Sequence, residues 1–323
     1  MTLRTLFLIT TTIFLFASDV SGQQTPQFSQ QMFNKYQFNA AYAGFDRSLS
    51  ITGSSRSQWA TFDGAPTTQN FNAHLPFYIW NGGIGISLEN DKIGQFSSTS
   101  ISLSYNYVYE SPIGLFSAGI RLGVLQNRLN ASRLTTPDGI YEGNSINHND
   151  GVLANRDITG SAPIWSFAGY YINDLFETGL SISDVPNHVT AIGDIDLERT
   201  TVVNWFAEAN IPINYDITIL PSVFVKSDFA QTQVDLSGIA NYRNQYFGGL
   251  GVRGYNANSL DAVVFYAGLR FNRKYKLTYS YGLGINGLQQ FHEGTHEFVL
   301  NYNLQKIIGL GLPPKVIYNP RFL

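Results

Sequence analysis

From Ile101 to Tyr109 the chain alternates without a break. Ile101, Leu103, Tyr105, Tyr107 and Tyr109 fall on one side, and Ser102, Ser104 and Asn106 on the other. Successive side chains of a strand point to opposite faces, so this run makes a strand with one apolar and one polar face. The pattern recurs down the chain. Phe116, Ala118, Ile120, Leu122 and Val124 oppose Ser117, Gly119, Arg121 and Gly123. Val203, Trp205, Ala207 and Ala209 oppose Asn204, Glu208 and Asn210. Val263, Phe265, Ala267 and Leu269 oppose Gly268 and Arg270. Leu277, Tyr279 and Tyr281 oppose Lys276, Thr278 and Ser280, and Phe298, Leu300 and Tyr302 oppose Glu297 and Asn301. A soluble sandwich has the same period. Two features point instead to a membrane barrel. The polar faces carry Ser, Asn, Gly, Arg and Glu, as a wet lumen would. Tyr105, Tyr107, Tyr109, Tyr170, Tyr171, Tyr275, Tyr279 and Tyr281 gather near strand ends, as interfacial girdles do.

Composition supports this. Charged residues are 13%, against about 25% in an ordinary soluble protein. Beyond the N-terminus no stretch resembles a membrane-spanning helix. In hydrocarbon only helices and closed barrels satisfy their own backbone hydrogen bonds. The expected class is therefore all-β, a transmembrane antiparallel β-barrel, passing from 47 to 303. About 14 strands are expected, an even number as in bacterial barrels. They start near Arg47, Pro66, Gly83, Gln95, Ile113, Ala162, Leu175, Thr200, Asp216, Gln231, Tyr246, Ser259, Tyr275 and Thr295. Connection lengths test the count. With the N-terminus in the periplasm, every even connection faces the periplasm and is short, while the long ones, Arg128–Ser161, Asp184–Arg199 and Gly284–Gly294, all face outward. Pro221 falls inside a strand and is expected to mark a bulge.

The ends read differently. Residues 1–22 form a secretory signal, with Arg4 in a short positive region, an apolar run from Leu6 to Leu15, and small residues at Val20 and Gly22 for cleavage. Residues 23–46 are polar and aromatic, either periplasmic or folded into the lumen. Residues 304–323 contain Pro313, Pro314 and Pro320 and form a periplasmic tail rather than a strand. With no cysteine there is neither a lipid-anchor site nor a disulfide. A net charge of −3 gives no field to attract nucleic acid.

Several motifs match catalytic signatures by letter only. His292-Glu293-Gly294-Thr295-His296 is a literal HExxH, but zinc proteases need the two histidines on one face of a helix, and here a loop runs into a strand. Gly249-Leu250-Gly251-Val252-Arg253-Gly254 is a literal GxGxxG without the following helix that would hold a pyrophosphate. Asn147-His148-Asn149-Asp150-Gly151 is rich in oxygen like a Ca²⁺ loop, but lacks EF-hand spacing, and the same residues make plain turns. His74 and His188 stand alone and read as structural or solvated. No catalytic residue, cofactor or metal is expected, and the protein is read as non-enzymatic.

The mature N-terminus carries a more specific pattern. Gln24-Thr25-Pro26-Gln27-Phe28-Ser29-Gln30-Gln31-Met32-Phe33-Asn34 is followed by Asn39-Ala40-Ala41-Tyr42-Ala43-Gly44, then Arg56, Gln58-Trp59, Gly64-Ala65-Pro66-Thr67-Thr68, and near the end His296-Glu297. This order resembles the PorP/SprF family of the type IX secretion system of Bacteroidetes, over essentially the whole mature chain. It departs from the family's usual prolines at Lys35 and Ala40, which bears on subgroup. The resemblance implies an outer-membrane barrel that supports export or surface anchoring of a large, adhesin-like protein through its C-terminal sorting domain, with gliding adhesins as the best-known cargo. It implies outer-membrane lipid, the cognate cargo and other type IX components as partners. It marks Pro26, Gln27, Phe28, Ser29, Gln30, Arg56, Gln58, Trp59, Pro66, His296 and Glu297 as family-motif or cargo-contact candidates. Arg56 and Trp59 also have a structural reading, which is favoured: Arg56 pairing with a lumen carboxylate such as Glu89 or Glu208, and Trp59 anchored at the outer interface. The alternative function is a passive porin, since barrels of this size can leave an aqueous channel.

Overall fold

The computed structural model describes residues 26–142, 145–185, 188–193, 195–254, 260–285, 293–306 and 308. Fourteen long strands form one closed antiparallel sheet in which each strand pairs with its neighbours in sequence. They are β1 (Ser50–Ser57), β2 (Thr67–Phe77), β3 (Gly82–Ile93), β4 (Phe96–Ser111), β5 (Gly114–Leu129), β6 (Ile158–Ile172), β7 (Phe176–Ser183), β8 (Val202–Ala209), β9 (Ile217–Ser227), β10 (Thr232–Tyr242), β11 (Tyr246–Arg253), β12 (Ala262–Phe271), β13 (Tyr275–Gly284) and β14 (Thr295–Asn303). β1 closes the barrel on β14, with Arg56 opposite Glu297. Closure leaves no edge within the hydrocarbon. The even connections are tight turns, and the long ones gather at the opposite end, which is the outward end in bacterial outer-membrane barrels.

The alternation sorts as the sequence implies. Ile101, Leu103, Tyr107 and Tyr109 are exposed on the outside, while Ser102, Ser104 and Asn106 are buried inside. Tyr170 departs from the expected girdle: it is buried in the lumen and donates to Glu177. Pro221 marks no bulge. The β8–β9 ladder stops at Glu208–Ser222 and resumes at Ile211–Ile219 in the same register, so the proline falls in a short gap where its missing N–H costs no ladder bond. The wall is uneven in height. β4, β5 and β6 have 16, 16 and 15 residues, whereas β7 and β8 have 8 each. β5 runs to Leu129 and β6 starts at Ile158, so the longest connection is shorter than the sequence suggests.

The lumen is filled. Residues 26–46 enter at the outer end and run down inside the barrel, with a single helical turn at Lys35–Phe38 and a 3-10 turn at Ala40–Tyr42. Met32 and Phe33 pack among inward-facing Phe206, Leu220, Phe224, Ile239, Phe247 and Val264. Tyr36, Ala41, Tyr42 and Ala43 pack against Leu115, Tyr170 and Ile172. Gly83 lets this plug touch the wall, since a Cβ there would lie 2.2 Å from the Ala43 carbonyl oxygen. A hairpin from the β7–β8 connection, His188–Ile192 with Ile195–Arg199, covers the inner face of β6, where a Cβ on Gly160 would meet the Ala191 carbonyl oxygen at 2.1 Å.

Candidate functional site

The plug is held by charges that sequence alone does not pair. Glu297, on the inner face of β14, accepts the Ser29 N–H at 2.7 Å and the Gln30 N–H at 3.2 Å. It also accepts Arg56 Nη1 from the facing strand at 3.1 Å. Arg56 is therefore paired in the lumen, but with Glu297 rather than Glu89 or Glu208. Ser29 Oγ lies between two guanidiniums, accepting Arg56 Nη1 at 3.0 Å and Arg253 Nη2 at 2.9 Å. Arg253 is neutralised by Asp235 at 3.3 Å. Tyr266 donates to the Ser29 carbonyl at 3.0 Å. Both guanidiniums are buried, so each needs its carboxylate to offset desolvation.

Lower down, Lys35 binds both Glu177 and Glu208. Glu89 instead accepts from Gln37 and Asn70, each at 3.3 Å. Asn106 Nδ2 donates to the Ala41 carbonyl at 2.7 Å. His74, read as isolated, accepts the Gly44 N–H on Nδ1 at 3.1 Å, with Asp46 3.7 Å from Nε2. The plug is thus tied to β2, β3, β4, β7, β8 and β14 at points along its length.

Above the Arg56–Glu297–Arg253 cluster the lumen opens into a cavity of about 470 Å³, lined by Pro26, Gln27, Ser29, Arg56, Gln58, Trp59 and Pro66 among others. Seven of the eleven residues singled out from sequence thus meet at one place, from two segments of the chain. Trp59 lines this vestibule half-buried instead of anchoring the outer interface. It has φ 53, and Thr61 in the same connection has φ 75. Bulky and β-branched residues rarely adopt that conformation, which is costly and tends to cluster at functional sites. The other four lie apart from the cavity. Glu297 and Gln30 sit beneath it in the latch, with Thr278 donating to Gln30 Oε1. Phe28 packs edge-on against Phe38 at 5.8 Å. His296 faces outward, its Nδ1 2.7 Å from the Tyr279 hydroxyl.

The letter motifs dissolve on inspection of their backbone. His296 lies in a strand and His292 outside the described residues, so the helical HExxH geometry is not formed. Among the described residues no cluster of three metal-ligating side chains occurs. Gly249–Arg253 lies in β11. In the outer loop Asp150 Oδ1 accepts the N–H groups of Val152 and Leu153, and Asn147 Oδ1 that of Asn149, so these oxygens serve turns. Hydrogen bonds from those two amides hold the Asp150 carboxyl below its ordinary value. Sequence reasoning missed Lys35, Glu177, Arg253 and Asp235. For Glu177, Asp235 and Arg253 the signal was available in principle, as charges at inward positions of strands that should face a lumen, whereas Lys35 lies in the plug.

Residues 20–302 match the family described as type IX secretion system membrane protein PorP/SprF. The chain belongs to this family. It is accordingly an outer-membrane component of type IX secretion, and family and fold together suggest a secretion component rather than an enzyme. No curated protein matches the chain in sequence. Among solved structures it is similar to the Acinetobacter baumannii outer membrane protein Omp33, at 9% identity and TM-score 0.45, covering 80% of this chain and 98% of that one. It is similar to a Pseudomonas aeruginosa FadL homologue, at 9% identity and TM-score 0.43, covering 88% and 96%. It is also similar to the CymD monoaromatic hydrocarbon channel, at 9% identity and TM-score 0.45, covering 85% and 91%.

Proposed function

We propose that this PorP/SprF barrel is a surface receptor in type IX secretion, taking a cognate, adhesin-like cargo by its C-terminal sorting domain and retaining it at the outer face. One observation carries the reading. Plug and wall residues of the family pattern build an outward vestibule of about 470 Å³ over a lumen filled by the chain itself. Such a molecule presents a site without needing to conduct. The barrel is the anchor, and binding, not bond-making, is its work.

Purification of the tagged protein from native membranes in mild detergent tests this. Recovery of one large protein with a type IX C-terminal domain is the expected result. Recovery of the barrel alone from actively secreting cells would sink the retention role. The passive porin makes the opposite forecast in planar bilayers, a steady and large conductance, which a plug tied at Glu297, Lys35, His74 and Asn106 opposes.

A further inference from the structure

β6 outruns its neighbour. β7 stops at Ser183 opposite Ser166, and beyond that rung only the Asp184 N–H continues, donating to the Trp165 carbonyl at 2.9 Å. That bond fixes which way the strand faces. In an antiparallel strand the N–H and C=O of one residue point to the same side, and alternate residues to the other. Trp165 points to the β7 side, so Pro163, Ser161 and Thr159 do too. Ile158, Gly160, Ala162 and Ile164 bond to β5. The main-chain groups of Thr159 and Ser161, and the carbonyl of Pro163, therefore line an edge with no strand on it among the described residues. The hairpin His188–Arg199 does not fill it, because Ala191 meets Gly160 on the inner face.

An unpaired edge is excluded from hydrocarbon. The outward face places this edge above it. The rung Ile101–Val124–Pro163 is apolar, and the next two, Thr99–Gln126–Ser161 and Ser97–Arg128–Thr159, are polar throughout. The membrane boundary thus falls at the Pro163 rung, with the Pro163 carbonyl at the interface, and the tops of β4, β5 and β6 stand in water beyond it. Pro163 occupies an edge position where its missing N–H is not needed by β5, as prolines in sheets do.

We propose that Thr159–Pro163 is a strand-addition site, taking one extended strand of the β-rich partner antiparallel to β6, in line with β7. The inference rests on the retention reading above and specifies its docking mode. Two donors and three acceptors at alternate residues match an extended backbone and nothing else of that length. The occupant is thus a strand from a folded β-domain, continuous with the ladder β7 already forms below.

Hydrogen exchange of 158–163, compared between the purified barrel and the complex from native membranes, tests the site. The Thr159 and Ser161 amides should exchange rapidly in the barrel alone and at least tenfold more slowly in the complex. Protection already in the barrel alone means its own chain covers the edge, and overturns the proposal. Ser161→Pro removes an N–H that β5 does not use, so the barrel should stay heat-modifiable on gels while partner recovery falls at least tenfold. Ser161→Ala, which keeps the N–H, should recover partner as the native protein does. Thr159→Pro is the second variant should Ser161→Pro fail to assemble. Equal recovery with an assembled proline variant removes the edge and leaves the retention reading standing. No partner with the native protein removes both.

Discussion

Replacing Glu297 by alanine should loosen the plug selectively at its outer arm. The variant strips Arg56, which is 2% exposed, of its directly paired carboxylate and deprives the Ser29 and Gln30 amides of their acceptor. Removing one partner of a buried ion pair costs about 3–5 kcal/mol, because the other charge stays buried. Most of that penalty is relieved if residues 26–31 lift away and water reaches Arg56. The closed arm is therefore weakened relative to the open one. Allowing for water from the adjoining vestibule, a shift of about 3 kcal/mol remains, roughly a 150-fold rise in the open population. The chain has no cysteine, so Ser54→Cys gives a clean reporter. Ser54 is buried on the inner face of β1, two residues from Arg56. Where opening is fast and labelling slow, the maleimide rate follows the open population. Labelling in the Glu297→Ala background should rise by about the same 150-fold, and adding Arg56→Ala should reverse at least tenfold of it. A Glu297→Ala rate within threefold of the Ser54→Cys parent would refute the latch.

Lys35→Ala should leave Glu177 and Glu208 facing each other in the lumen and cost about 3–5 kcal/mol, read as a lowered temperature of the heat-modifiable gel shift. Adding Glu208→Gln should recover part of it by removing one of the two like charges. Gly83→Ala should displace the plug and destabilise by about 1–3 kcal/mol, while Gly238→Ala, with nothing within 4 Å, should be silent in the same assay. In the outer loop, hydrogen bonds from Ser132 and Arg128 hold the Asp157 carboxyl below its ordinary value. Its contribution is thus present above the ordinary carboxylate range and lost as pH falls through the lowered value. Protease cutting of 130–157 should be faster in Asp157→Asn than in the native protein at pH 7, and the difference should shrink only as pH falls below the ordinary carboxylate range. A native protein whose loop is cut at the Asp157→Asn rate already at pH 7 would count against this assignment.

The barrel was legible because hydrocarbon enforces it. Dyad alternation and the parity of long connections are direct consequences of spanning a bilayer with strands, and both survive in a single sequence. The plug was not legible for a related reason. Alternation was read as lipid outside and water inside, so Phe206, Leu220, Phe224, Ile239, Phe247 and Val264 had no role to play. Those residues give β8 to β12 an apolar stretch on the inner face, among charged and polar neighbours, as well as on the outer one. A strand apolar on both faces has two apolar solvents, and the second here is the chain's own N-terminal segment. Arg56 illustrates the same limit. Its need for a carboxylate followed from chemistry, but the choice of Glu297 over Glu89 or Glu208 depends on closure of β1 on β14, a pairing across 241 residues. Trp59 was misplaced because an aromatic near a strand end is normally interfacial, whereas its positive φ turns it over the lumen.

These misses bear on how the site works. β1 and the β1–β2 connection supply Arg56, Gln58, Trp59 and Pro66, while Pro26, Gln27 and Ser29 come from the plug, whose outer arm is fastened at Glu297 and through Arg253 to Asp235. The vestibule floor is therefore a separate segment from its walls, and the latch holding it is buried beneath the surface a ligand would touch. A partner that donated hydrogen bonds to Ser29 Oγ or Gln27 Oε1 would compete with Arg56 and Arg253 for the same acceptor atoms. Occupancy of the vestibule and position of the plug are then linked, and any ligand favouring one arm position shifts the other by its difference in affinity for the two. The Ser54→Cys reporter reads that linkage directly: labelling that changes when partner is bound, in the otherwise native barrel, means the plug moves with its cargo, and labelling that stays constant means it serves only as a fixed floor.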